Sequence, residues 1–216
     1  APSHDRGADY AARVKSILLA LLMGSTLNPP PSLPAESRQV IVIDTLGNGL
    51  AQGVRFERSA DQWRKVGAVF AARVSNKARV PISKRIRNTG TTPVGTFALD
   101  EAFGFVTKPL SGLPYRKATS NSWWVADPAS PLDDSWQECK SNCSWDEREG
   151  ERLIDHRASY ELAIHVATKS PNAAAIFIHL DTGRNLSGCI AVSKSTMITL
   201  LKWLAKEKNP YIVITT

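Results

Sequence analysis

The sequence predicts a mainly β domain with a few helices, and three observations carry that prediction. Short apolar runs rich in branched residues recur from Gln39 to the C-terminus, several of them bounded by glycine or proline turns. Helical spacing of apolar residues is confined to the two ends of the chain, so the runs between do not alternate with helices as βαβ units would. The composition, 43% hydrophobic and 22% charged over 216 residues, suits a folded core and excludes wholesale disorder.

Taken in order, residues 1–38 are expected to form an N-terminal amphipathic helix and a linker, and residues 39–216 the main domain. Val14, Ile17, Leu18, Leu21 and Leu22 follow helical spacing. The apolar core, Ile17 to Met23, is far shorter than the roughly 20 residues a bilayer-crossing helix needs, so no stable membrane span is expected. A signal-peptide core behind Arg13 and Lys15 is the other reading of this stretch. Asn28 to Pro34 is an extended proline linker.

Gln39 to Thr45 reads as a strand ended by the turn Leu46-Gly-Asn-Gly49. Val54 to Arg58 and Val66 to Val74 follow as strands, then Thr96 to Leu99, launched by Pro93-Val-Gly95. From about Lys108 to Arg148 there is no sustained period, and so long a loop is expected to be a functional cover or binding loop. Tyr160 to Ala167 and Ala174 to Leu180 resume the strand pattern. Met197, Leu200, Leu201 and Leu204 mark a helix behind Ser193 as N-cap, and Tyr211 to Thr215 is a closing strand.

The net charge of +7 favours an anionic setting. Nucleic acid is not expected as a partner, because the densest basic stretch, Lys84 to Arg87, has no companion array of aromatics and reads as a solvated face. The four histidines are scattered, without the Cys/His spacing of a zinc site, so no metal and no cofactor is expected.

The chemistry concentrates between Ile176 and Ala191. His179 ends an apolar strand, a glycine-containing polar loop follows, and Gly188-Cys189 opens the next apolar segment. A loop of this length can fold back to bring imidazole within reach of thiol. A free thiol, with a pKa near about 8.5, is mostly protonated at neutral pH, and an adjacent histidine would accept its proton as it attacks a carbonyl. Gly188 permits close backbone approach, so its amide and that of Cys189 are candidate oxyanion donors. The competing reading of Cys189 is a small buried residue without chemistry. His165, in an alternating strand, reads as structural, and His156 as exposed. Cys139 and Cys143, in Cys-Lys-Ser-Asn-Cys, are either a disulfide or two inert thiols; an odd cysteine count in an exported chain favours one disulfide and one working thiol.

This stretch resembles the active-site motif of the L,D-transpeptidase (YkuD-type) family: a strand-ending histidine, a loop, then glycine-cysteine and an apolar residue. Thr89 to Phe97, with its Thr-Pro-Val-Gly-Thr-Phe core, Ala102-Phe-Gly104 and Trp123 to Pro128 also look like the family, and the likeness spans roughly Gln39 to Thr216. The resemblance implies a β-sandwich-like catalytic domain, export to the periplasm or cell wall, and peptidoglycan stem peptides as substrate. Cys189 would form a thioester resolved by the amine of a second stem; water as acceptor would make the chain a carboxypeptidase. The motif departs from the common pattern at Leu180, Leu186, Ser187 and Ala191, the last standing where Arg or Asn is usual. Those departures give weight to a different class of protein, a silent wall-binding module. Tyr115 and Trp124 from the aromatic segment, and Arg184 and Ser187 from the loop before the cysteine, are the candidate substrate contacts; for the aromatics, ordinary core is the other reading.

Overall fold

The computed structural model describes residues 33–216; the expected N-terminal helix lies outside the described residues. The strands are β1 (Gln39–Gly47), β2 (Leu50–Ser59), β3 (Gln62–Arg73), β4 (Arg79–Pro81), β5 (Thr92–Gly104), β6 (Tyr115–Lys117), β7 (Ser122–Val125), β8 (Ser135–Glu138), β9 (Glu151–Arg152), β10 (Leu162–Ala167), β11 (Phe177–Leu180), β12 (Ile190–Val192) and β13 (Pro210–Ile214). Among the described residues one α-helix, α1 (Lys194–Trp203), precedes β13. The fold is mainly β, as the sequence predicts.

The large sheet runs β10-β11-β12-β3-β2-β1-β13-β5, and pairing of β10 with β5 closes it on itself. Closure leaves this set of strands without a free edge. The turn from β1 to β2 needs left-handed backbone at Gly47, Asn48 and Gly49 (φ 90°, 52° and 75°), which glycine and asparagine supply most cheaply.

Strand alternation divides the side chains into two populations. Ile41, Ile43, Ile164, Ile178 and Ile190 enter one large buried cluster, joined by Met197, Leu200, Leu201 and Leu204 at the α1 end of the chain. The helix starts where expected, the Ser193 side chain accepting a hydrogen bond from the Thr196 amide. Phe103, Ala163, Phe177 and Cys189 belong to a second buried cluster with Trp124, Leu153 and Tyr160. The functional motif sits on this second face.

The segment expected to be a structureless loop is instead partly regular. It contains β6, and its β7 and β8 join β9 in a small sheet ordered β8-β7-β9. Its strands are only three or four residues long. Both faces of β7 are covered, Trp123 by Trp145 and Trp124 by Phe177 and His165, so no polar alternation marks it. Cys139 and Cys143 are joined by a disulfide just after β8.

Candidate active site

β11 and β12 run parallel, with His179 opposite Ala191. Cys189 precedes Ala191 by two positions, so strand geometry puts its side chain on the face that carries His179. Both line one cavity of about 640 Å³. They are nearly covered, His179 at 7% exposure and Cys189 at 8%.

The two groups are not hydrogen-bonded to each other. The Cys189 thiol donates to the carbonyl of Ala175 (3.6 Å), and His179 Nδ1 lies 2.9 Å from the carbonyl of Leu180. A carbonyl only accepts, so Nδ1 carries the proton and Nε2 of the neutral ring keeps its lone pair. Burial, reinforced by the charge of Glu151, pushes the thiol up to about 12. Burial also holds the imidazole below the ordinary histidine range, against the opposing pull of the Leu180 carbonyl. The resting pair is therefore neutral thiol and neutral imidazole. Such a pair reacts with the proton moving to imidazole as sulfur attacks, and needs no standing thiolate.

Gly188 has a φ of 124°, and a Cβ built there would stand 3.0 Å from the Thr91 carbonyl oxygen and 3.2 Å from Ile176 Cδ1. Only glycine lets the loop lie this close beside the cysteine. The loop itself is braced by Asp181, whose carboxylate accepts from Arg73 (2.7 Å) and from the Gly183 amide (2.8 Å), while Arg73 also donates to the Arg184 carbonyl (3.1 Å). Arg184 and Ser187 line the cavity from this loop, as exposed residues.

Tyr115 and Trp124 stand apart from the other candidate contacts. Neither lines the cavity. Trp124 is 1% exposed, its indole N–H donates to Asp134 (2.9 Å), and its ring packs on Phe177 and His165, which makes it core. The Tyr115 hydroxyl donates to the Val106 carbonyl at 2.8 Å, and burial raises its pKa to about 12.

The basic stretch Lys84 to Arg87 is a solvated face only in part, and its two arginines turn inward. Lys84 and Ile86 are exposed, Ile86 at 73%, whereas Arg87 is half-buried and Arg85 is only 5% exposed and lines the cavity. Arg85 Nε donates to the Thr91 carbonyl (3.0 Å) and Nη1 to the Asn172 carbonyl (2.5 Å). Arg87 forks onto Asp133 with contacts of 2.9 and 2.5 Å. Alternate burial within four consecutive residues is invisible to a reading of charge density.

Three further cavity residues, Tyr160, Glu151 and His156, carry no functional signal of their own in the sequence. Tyr160 packs its ring 5.6 Å from that of His179 and donates its hydroxyl to Glu151. Burial raises the Glu151 carboxyl, against the Tyr160 hydrogen bond. His156 also lines the cavity, from an exposed position.

An ionic cluster built on the buried His165 lies behind the site, with Asp100 at its exposed end. His165 Nδ1 bonds Asp100 at 2.8 Å, and its Nε2 faces Asp134 at the longer distance of 3.5 Å. Burial opposes the imidazolium, but the two carboxylates outweigh it and raise His165 to about 9. Asp134 in turn accepts from the Ala175 amide at 3.0 Å. Ala175, held at a left-handed φ of 53°, is the residue whose carbonyl receives the Cys189 thiol. The cluster thus anchors, through its N–H, the residue against whose carbonyl the sulfur rests.

The family model of the YkuD L,D-transpeptidase catalytic domain matches residues 57–213, and the chain belongs to that family. Membership carries a transpeptidase-type function on peptidoglycan. The matched span begins inside β2, while β1 before it pairs with both β2 and β13 and so is part of the same closed sheet. No curated protein and no solved structure gives a significant match. Among the described residues no helix is long and apolar enough to cross a membrane.

Proposed function

We propose that the chain transfers acyl groups of peptidoglycan stem peptides through a thioester on Cys189, with His179 as general base. The observation that carries this reading is the shared placement of the two side chains on one face of adjacent strands, at the wall of one polar cavity.

In the first half-reaction His179 Nε2 takes the thiol proton while Sγ attacks the carbonyl carbon of a stem peptide bond. The carbonyl becomes an oxyanion, for which the backbone amides of Gly188 and Cys189 are the candidate donors. Collapse breaks the C–N bond, imidazolium returns its proton to the leaving amine, and the thioester remains. In the second half-reaction His179 takes a proton from the amine of another stem as its nitrogen attacks the thioester; the C–S bond breaks, the imidazolium returns the proton to the departing sulfur, and the crosslink is formed. Water in place of that amine would release a shortened stem, and the products distinguish the two. The disulfide at Cys139–Cys143 supports an exported protein working in an oxidising compartment, the periplasm or cell wall.

The test is turnover of purified stem peptides by Cys189→Ala and His179→Ala. The first is expected to abolish both crosslinking and trimming while the protein stays folded. The second is expected to reduce turnover by about 10²- to 10⁴-fold, the usual contribution of a positioned base. Undiminished turnover in either variant removes that residue from its role.

A further inference from the structure

Arg85 is a buried cation with an unfinished set of partners. Nε and Nη1 are taken by the carbonyls of Thr91 and Asn172, both uncharged. Nη2 makes no hydrogen bond to the described residues and is open to the cavity that Arg85 lines, and no carboxylate among the described residues lies within ion-pair distance of the guanidinium. Its neighbours at the cavity differ. Arg87 is neutralised by Asp133, and Arg148 by Asp146. A guanidinium in a residue only 5% exposed, with no counter-ion, is costly to keep charged, and burial does lower its pKa. An arrangement of this kind is completed by an anion that arrives from outside.

The position of Nη2 narrows what that anion is. It stands 3.3 Å from where a Cβ on Gly188 would be, and Gly188 directly precedes the nucleophile. In a peptide whose scissile carbonyl meets Cys189, the next carbonyl carbon on the leaving side lies within about 4 Å of the scissile one. When the leaving residue is the last of the chain, that carbon bears a free carboxylate. The two tethers to backbone carbonyls hold the guanidinium in one orientation, so the receptor is preorganised.

We propose that Arg85 is the carboxylate receptor of the site: through Nη2 it binds the terminal carboxylate of the residue that departs, and so restricts the enzyme to the last peptide bond of a stem. The proposal rests on the cysteine acyl-transfer reading above. It gives the site a selector of chain ends at a position drawn from the segment before β5, far in sequence from the motif that carries the nucleophile.

Binding tested in the Cys189→Ala protein needs no turnover. Calorimetry would compare a stem tetrapeptide ending in D-alanine with the same peptide as its C-terminal amide. The acid is expected to bind about 30-fold or more tightly, as loss of one member of a buried charged pair commonly costs. Adding Arg85→Gln is expected to erase the difference between acid and amide, and Arg85→Lys to restore part of it. Equal binding of acid and amide by the Cys189→Ala parent overturns the proposal, and that comparison stands even if Arg85→Gln fails to fold. Persistence of the preference in folded Arg85→Gln overturns it as well. In the otherwise wild-type enzyme, a loss of kcat for acid and amide alike with no change in preference would make Arg85 a partner of the sulfur, and would also overturn it. Discrimination in binding without any thioester on wild-type Cys189 would leave the carboxylate site standing and sink the acyl-transfer reading instead.

Discussion

His165 and His179 lie on adjacent strands, β10 and β11, where Ala163 pairs with His179 and His165 pairs with Phe177. Both are nearly buried, and burial alone would leave both neutral. They differ in what surrounds them. His165 sits between the carboxylates of Asp100 and Asp134 and is held charged to about pH 9. His179 has a carbonyl on one nitrogen and the cavity on the other side, and its pKa falls instead. One ring acts as a fixed cation that braces the Ala175 peptide. The other stays a neutral base. Two residues of one type on one face take opposite roles because the acceptors around them differ in charge.

The comparison is broken most severely at Asp134. Asp134→Asn keeps an oxygen for the Trp124 and Ala175 donors but removes a charge facing His165. A loss of about 2 kcal/mol in unfolding free energy is expected, below the usual figure for a buried pair because the Asp134 side chain is 20% exposed. Turnover should fall too, since the Ala175 carbonyl that seats the thiol is no longer held as firmly. Chemical denaturation and stem-peptide assays read the two effects separately; unchanged stability would show that Asp134 is not a counter-ion of His165.

A smaller effect separates the histidines by pH. The folded pKa of His165, about 9, lies above its ordinary value of about 6.5. Its stabilising contribution is therefore fully present below about pH 6.5 and is lost as pH rises through about 9. His179 titrates on the acid side of the ordinary histidine range and must be neutral to act. So stability should decline on the alkaline side while kcat/KM declines on the acid side. Denaturation and rate profiles from pH 5 to 10 would check this; a rate that rises with acid would remove His179 as base.

Much of the architecture was legible because its signals are local. The β1 run of branched residues, the Leu46–Gly49 turn, the apolar run into His179 and the Ser193-capped helix each declare themselves within ten or so residues. The order of Thr-Pro-x-Gly segment, strand-ending histidine and glycine-cysteine pair marked the family from the same kind of local pattern. What was not legible depends on distant partners. β5 runs thirteen residues, well beyond the short strand read at Thr96 to Leu99, because it is paired by β13 and β10 from the far end of the chain. The small sheet around Trp124 is built of strands too short for periodicity to register, and Trp124 becomes core because Phe177 and His165 cover it. Arg85 looked like one charge in a basic run. Its burial comes from carbonyls six and 87 residues away, one adjoining β5 and the other approaching β11. Its meaning follows from Gly188 standing beside it, which charge density cannot reveal.

The central claim is that Cys189 carries the acyl group. Intact-protein mass spectrometry during incubation with purified stem peptides tests it most directly, with adduct mapping by peptide fragmentation. A thioester confined to Cys189, absent from Cys189→Ala and accumulating far more slowly in His179→Ala, is the predicted result. Folded, reduced protein that forms no adduct and no product, or an adduct on any other residue, would contradict it.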